Sequence, residues 1–208
     1  RLVLRNAFDL YPHPNTLAAL LNTGAEAAQW LERSFSAFHP IPPGMQDAAL
    51  LDTTFPSYNF DLIEGLEWRV DLSAAPRYNC RGQVVNPGST RIIDLRHDGK
   101  PLDPTARFVL ATNSYRAAGS GGFPAASTDR MILSSHDGNR EVLLEYISRL
   151  GTVARDPVPN WRFVPMPGTT VLFDSAPAAS AHLTDLAPLT AEALDLTPTG
   201  FRRFRLHL

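Results

Sequence analysis

The sequence predicts an α+β fold, a single domain in which a mixed β-sheet is packed by two principal helices. Three observations carry this. Leu66, Trp68, Val70 and Leu72 alternate with Glu67, Arg69, Asp71 and Ser73, the period of a half-buried strand. Ala27, Leu31, Phe35 and Phe38 recur at helical spacing and form one apolar face. Proline reaches 18 of 208 residues, roughly twice its ordinary share, and falls between the periodic segments, so short elements joined by rigid loops are expected.

Along the chain, Thr16 to Leu21 is apolar and of strand length. Thr23-Gly-Ala-Glu26 follows with the Thr-x-x-Glu spacing in which each side chain satisfies an exposed amide at a helix start. A helix is expected from Gly24 to Phe38, with Glu32 and Arg33 off its apolar face, and His39-Pro-Ile-Pro-Pro-Gly44 ends it in a loop. Thr90 to Arg96 reads as a strand, followed by the hairpin-type turn Asp98-Gly99 and the apolar run Phe108 to Ala111. These strands and Leu66–Leu72 are expected in one sheet. Asn139 to Leu150 is the second helix and stops at Gly151, a residue suited to a left-handed end. Strands are expected at Trp161–Val164 and Thr170–Phe173, a weak helical stretch near Ala178–Leu186, and a last strand carrying Phe201, Phe204, Leu206 and Leu208. With no repeat and no linker, residues 1–208 read as one domain.

Composition excludes several classes. Hydrophobic residues at 44% and charged residues at 19% belong to a globular chain. A net charge of −2, with no basic cluster beyond Arg202, Arg203 and Arg205, argues against a nucleic-acid polymer as partner. No apolar stretch reaches the ~18–20 residues of a membrane span. Cys80 is the only cysteine, so no internal disulfide or cysteine-rich zinc site is possible, and it reads as a small apolar filler. The six histidines fall in no short-spaced ligand motif, Gly-x-Ser-x-Gly and the phosphate-binding Gly-x4-Gly-Lys loop are absent, and Lys100 is the only lysine. No catalytic residue, metal site or cofactor is therefore assigned to this chain.

Two polar stretches remain. Leu10-Tyr-Pro-His-Pro-Asn-Thr-Leu17 sets Tyr11, His13 and Asn15 before a strand, between prolines that fix the backbone. It reads either as a packed turn or as side chains presented at little ordering cost. Ala111 to Phe123 begins as a strand and ends in a loop with Gly119, Gly121 and Gly122, where backbone can approach a flat ligand or simply move. Arg116 is open to either reading. Tyr58, Asn59 and Asp61 read as a buried turn with internally paired polar groups.

Four stretches together carry a resemblance: Arg5-Asn6 through Leu17, Tyr58-Asn-Phe-Asp-Leu-Ile-Glu-Gly65, Ala111-Thr-Asn-Ser-Tyr-Arg-Ala117, and Asp137-Gly-Asn-Arg140 opening a helix. In order and spacing they resemble the C-terminal domain of the bacterial 5′-nucleotidase superfamily, in its 2′,3′-cyclic-nucleotide 2′-phosphodiesterase/3′-nucleotidase branch, across most of residues 1–165. The resemblance implies a periplasmic hydrolase of nucleotide catabolism. Its N-terminal metallophosphoesterase domain, absent from this chain, holds two divalent metal ions that activate water. That domain would be the intramolecular partner, and a nucleotide or nucleoside the ligand. In such proteins two aromatic rings grip the nucleobase. The second ring falls on Tyr115; the first falls on His13, where the branch usually has Tyr, so that base affinity would be lower or Tyr11 would stack instead. Asn15 matches the position that meets the base edge, and Gly119, Gly121 and Gly122 match the loop beside the second ring. An Asn/Gly/Arg-rich phosphate-binding segment that precedes this point in the family is expected to be missing, the chain opening at Arg1 in an apolar run. A rival reading is a ligand-binding or interaction module on the same fold that has lost nucleotide recognition.

Overall fold

A computed structural model describes residues 4–152 and 159–208. In chain order the elements are α1 (Leu4–Leu10), β1 (Thr16–Thr23), α2 (Gly24–Ser34), β2 (Ala48–Ala49), β3 (Leu66–Val70), β4 (Ile92–His97), β5 (Lys100–Pro101) and β6 (Arg107–Asn113). They continue with α3 (Ser114–Ala117), β7 (Met131–Gly138), α4 (Asn139–Leu150), β8 (Trp161–Phe163), β9 (Thr170–Ser175), β10 (Thr190–Leu196) and β11 (Arg202–His207). The α+β class holds. Among the described residues the strands form three sheets rather than one, and the chain divides into two compact units, Arg1–Trp30 with Leu102–Pro159 and Leu31–Pro101 with Asn160–Leu208.

The first unit is built on β1, the middle strand of the order β6-β1-β7, antiparallel to both neighbours. Ala18, Leu20 and Asn22 alternate along it and are buried. Its C-terminal end turns directly into α2 through the expected capping box. The Thr23 amide donates to the Glu26 carboxylate at 2.8 Å, and the Glu26 amide donates to Thr23 Oγ1 at 3.3 Å. Gly24 is required by packing, because a Cβ there would lie 2.2 Å from the carbonyl oxygen of Asp103. Partial burial pushes the Glu26 carboxyl up; the Thr23 amide and hydroxyl, with Arg130 at 2.7 Å, outweigh it and hold the carboxyl below its ordinary value.

The second unit holds two four-stranded sheets, β5-β4-β3-β8 and β10-β11-β9-β2. Its core is aromatic. Phe35 meets Phe38, Phe60, Trp68 and Trp161 at centroid separations of 4.9–5.8 Å, mostly edge to face, and Phe163 joins through Phe38 and Trp161. On β11 the alternation of Phe204, Leu206 and Leu208 reproduces the expected buried face, whereas Phe201 is exposed.

Several expectations need correction. Phe108–Ala111 does not share a sheet with Leu66–Leu72 or with the strand after Thr90. The Asp98-Gly99 turn, with φ of 50° and 72°, folds β4 back onto the short β5. The chain then turns at 102–106 and ties to the start of α2, where the Gly24 and Ala25 amides donate to Ala106 O and Pro104 O, both at 2.9 Å. That tie sets β6 against β1, with Thr23 opposite Arg107. The helix from Gly24 ends its α-helical turns at Ser34, and Phe35–Ala37 is a 3₁₀ turn. Glu32 and Arg33 lie off the apolar stripe yet are buried. Glu32 Oε1 accepts the amides of Arg91 and Ile92 at 2.9 Å each, and Arg33 donates to Cys80 O at 3.1 Å. The stretch 178–186 is 3₁₀ and kinked at His182. Strand β7 has no expected counterpart, since its residues do not alternate.

Arg91 meets Glu32 through its backbone amide. Fully buried, it donates to Phe35 O, Phe38 O and Ala74 O at 2.9, 2.8 and 2.5 Å. Burial pulls its guanidinium down to about 10 and pushes the Glu32 carboxyl up.

Two outcomes follow from these pairs. Arg91→Met keeps the backbone amides that Glu32 accepts but leaves the carbonyls of Phe35, Phe38 and Ala74 without their donor, and is expected to cost about 3 kcal/mol or more of stability by denaturant unfolding. For Glu26 the folded pKa lies below the unfolded value of 4.5. Its contribution is therefore complete above that pH and lost as pH falls through the folded value. The stability difference between the wild type and Glu26→Gln should shrink on acidification, which urea melts at stepped pH would read.

Candidate functional site

Antiparallel pairing on both edges of β1 brings three separate segments to one end of a sheet. Leu17 is opposite Asn113 on β6, and Thr16 is opposite Gly138 on β7. The residues before β1, those after β6 and those after β7 therefore emerge together. These are 11–15, 114–122 and 139–140, three of the four stretches that carried the family resemblance. The fourth, 58–65, lies in the second unit.

In the first segment His13 is exposed and Asn15 half-buried. The Tyr11 ring meets His13 edge-on at 6.3 Å between centroids. Its phenol oxygen accepts from Asn15 Nδ2 at 3.2 Å and from Asn139 Nδ2 at 3.0 Å. Backbone bonds close the end of the sheet: the Asn139 amide donates to Asn15 O at 2.9 Å and the Thr16 amide to Ser114 Oγ at 3.1 Å.

The second segment starts with Asn113, whose Oδ1 accepts the Arg116 amide at 2.8 Å and caps the single turn of α3. Tyr115 stands on that turn, 41% exposed. Arg116 is buried, and its role is internal. Its guanidinium lies 4.1 Å from the Phe123 centroid and 5.7 Å from that of Tyr115, and Nη1 donates to Ser120 O at 2.8 Å. Phe123 in turn packs on Trp30 at 4.9 Å. Around this strut Gly119, Gly121 and Gly122 take φ of +92°, +85° and +66°, open to glycine without strain.

Below this end, between the sheet and α4, lies an open cavity of about 470 Å³ lined by Tyr11, Leu17, Ala111, Thr112, Asn113, Asn139, Val142, Leu143 and Tyr146. It touches neither His13 nor Tyr115. Sequence reasoning did not select Asn113, Asn139 or Tyr146. In the sequence Asn139 marks a helix start and belongs to the Asp137-Gly-Asn-Arg140 stretch of the resemblance, but its partner Tyr11 lies 128 residues away. Among the described residues no group of three or more His, Cys, Asp or Glu is placed to hold a metal ion, and no helix is long and apolar enough to cross a membrane. In the second unit Asn59 is buried as expected and Ser34 Oγ bridges the amide and carbonyl of Asp61 at 2.6 Å each, but Tyr58 is exposed.

A family profile described as the C-terminal domain of 5′-nucleotidase matches residues 2–128. The chain belongs to that family. It is 42% identical over 176 residues to the trifunctional nucleotide phosphoesterase protein YfkN of Bacillus subtilis, covering 84% of this chain and 12% of that protein. It is 35% identical over 219 residues to the 2′,3′-cyclic-nucleotide 2′-phosphodiesterase/3′-nucleotidase of Haemophilus influenzae, covering 100% of this chain and 33% of the relative. Among solved structures, the 5′-nucleotidase precursor of Thermus thermophilus aligns at a TM-score of 0.57 and 18% identity, over 80% of this chain and 28% of that one. This last likeness is one of fold. The chain thus spans a third or less of the length of these curated relatives.

The glycine loop makes its own prediction. A Cβ at Gly119 would sit 3.2 Å from Ala126 O on a backbone of φ +92°. Gly119→Ala is expected to cost roughly 1 kcal/mol, read by denaturant unfolding, with amide shifts confined to residues around Tyr115 and Ala126.

Proposed function

We propose that this chain is the nucleotide-recognition domain of a bifunctional 2′,3′-cyclic-nucleotide 2′-phosphodiesterase/3′-nucleotidase of the bacterial periplasm. The observation that carries the reading is the convergence of 11–15 and 113–122 at one end of the β1 sheet. Relatives bearing that enzyme name, at 35% and 38% identity, support the substrate class. The periplasmic location rests on the family resemblance alone.

In this reading His13 and Tyr115 face the two sides of a nucleobase, which needs rings about 7 Å apart for ~3.5 Å contact on each side. Asn15 meets the base edge, its amide offering both acceptor and donor. Tyr11 supports His13 edge-on, and the loop of Gly119, Gly121 and Gly122 forms a rim. Two divalent ions on a separate metallophosphoesterase domain would supply activated water; no step of that chemistry falls on residues of this chain. Its part is to bind and orient the nucleotide by the base, leaving the phosphoester free for the other domain.

Stacking on a protein aromatic is worth roughly 1–3 kcal/mol per base. The chain alone should therefore bind 3′-AMP in the millimolar range that ~4 kcal/mol represents. Tyr115→Ala is expected to abolish that binding and His13→Tyr to strengthen it, both read by titration with NMR detection. Shifts that avoid residues 11–15 and 113–123 would sink the clamp and favour the rival, an interaction module on the same fold. With added manganese the chain alone should turn over neither cyclic nucleotides nor p-nitrophenyl phosphate.

A further inference from the structure

We infer that Asn139 and Arg140, at the start of α4, are positioning residues that hold the loop 11–15 in its ligand-accepting shape. The inference rests on the base-recognition reading above and assigns the Asp137-Gly-Asn-Arg140 stretch a task that reading leaves open.

The loop needs an external hold. Its prolines remove two amides, and the residues between Leu10 and Thr16 belong to no helix or strand. Packing does not supply the hold, because Tyr11 borders the open cavity and His13 is exposed. What fixes the loop is a set of hydrogen bonds from two consecutive residues. Arg140 Nε donates to Tyr11 O and its Nη2 to Pro12 O, both at 3.1 Å, so one planar guanidinium spans two successive carbonyls. Asn139 donates from its backbone amide to Asn15 O and from Nδ2 to the Tyr11 phenol. Both ends of the loop and its aromatic prop are thereby tied to one helix.

The guanidinium is itself oriented. The Phe8 ring of α1 lies 4.0 Å from its central carbon, which leaves the edge of the fork for the carbonyls. A lysine could reach only one carbonyl as a point charge. Because Tyr11 props His13 edge-on, releasing Tyr11 also releases the ring assigned to one side of the base.

The test uses this chain, with 3′-AMP as probe, and compares the wild type, Tyr115→Ala, Arg140→Gln, Arg140→Lys and Asn139→Ala. Affinity is followed by NMR titration, fold by thermal melting, and loop order by the heteronuclear NOE at His13 and Asn15. Arg140→Gln is expected to weaken binding about tenfold, the scale of one or two lost charge-assisted hydrogen bonds. It should lower the NOE at His13 and Asn15 while the melting temperature stays within about 3 °C. Arg140→Lys should recover part of the affinity. Asn139→Ala, which keeps the backbone bond and loses only the Tyr11 bond, should fall between, and decides the matter alone if Arg140→Gln does not fold. A wild type that does not bind 3′-AMP overturns the recognition reading itself. Binding by the wild type, lost in Tyr115→Ala and unchanged in the Arg140 and Asn139 variants, overturns this inference alone.

Discussion

Hydrogen bonding on both edges of β1 is the constraint on which the first unit depends. A strand paired on both sides has no free edge, so its backbone is committed to structure and only its ends can present chemistry. With β6 and β7 both antiparallel to it, the beginning of β1 and the ends of its neighbours coincide. Residues far apart in sequence then share one small region without any catalytic or ligand-binding requirement having drawn them there. The opposite end of β1 is used differently: the capping box and the close approach of Gly24 to Asp103 turn the chain at once into a buried helix.

Polar side chains at the candidate site divide into those that face outward and those consumed by architecture. Arg116 belongs to the second group, with its charge set on aromatic rings and its Nη1 donating to a loop carbonyl. Asn113 is a helix cap. His13 and Tyr115 are among the aromatic residues left accessible there, beside Phe8 and Tyr146 on the flanking helices.

The second unit solves a different problem. Its aromatic cluster excludes water from the region where α2 ends, and the exposed carbonyls of that end need donors. Arg91 provides them from a distant strand boundary, and Glu32 in turn accepts the amides of residues 91 and 92. Buried charged groups satisfied in this way by backbone partners fix which segments meet, because any other arrangement leaves a buried charge or carbonyl without its hydrogen bonds.

The amino-acid sequence by itself determined what depends on neighbours within a turn or two. The capping box at Thr23 and Glu26, the helix from Asn139 to Leu150 with its stop at Gly151, the alternation of β3 and β11, and the glycines that accept positive φ are all local, fixed by periodicity and backbone sterics. The family was legible as well, because its signatures are short and contiguous. Partnership was decided only by tertiary structure. Nothing near Phe108 says that it pairs with β1 instead of β4, since an apolar run fits any sheet with an open edge, and the choice falls to the turn at 102–106 docking on α2. Nothing near Glu32 announces Arg91, 59 residues away. Likewise Tyr11, Asn15 and Asn139 become one hydrogen-bonded group only when antiparallel register brings Thr16 opposite Gly138. Side-chain periodicity encodes which face is buried, but it carries no record of what will cover it.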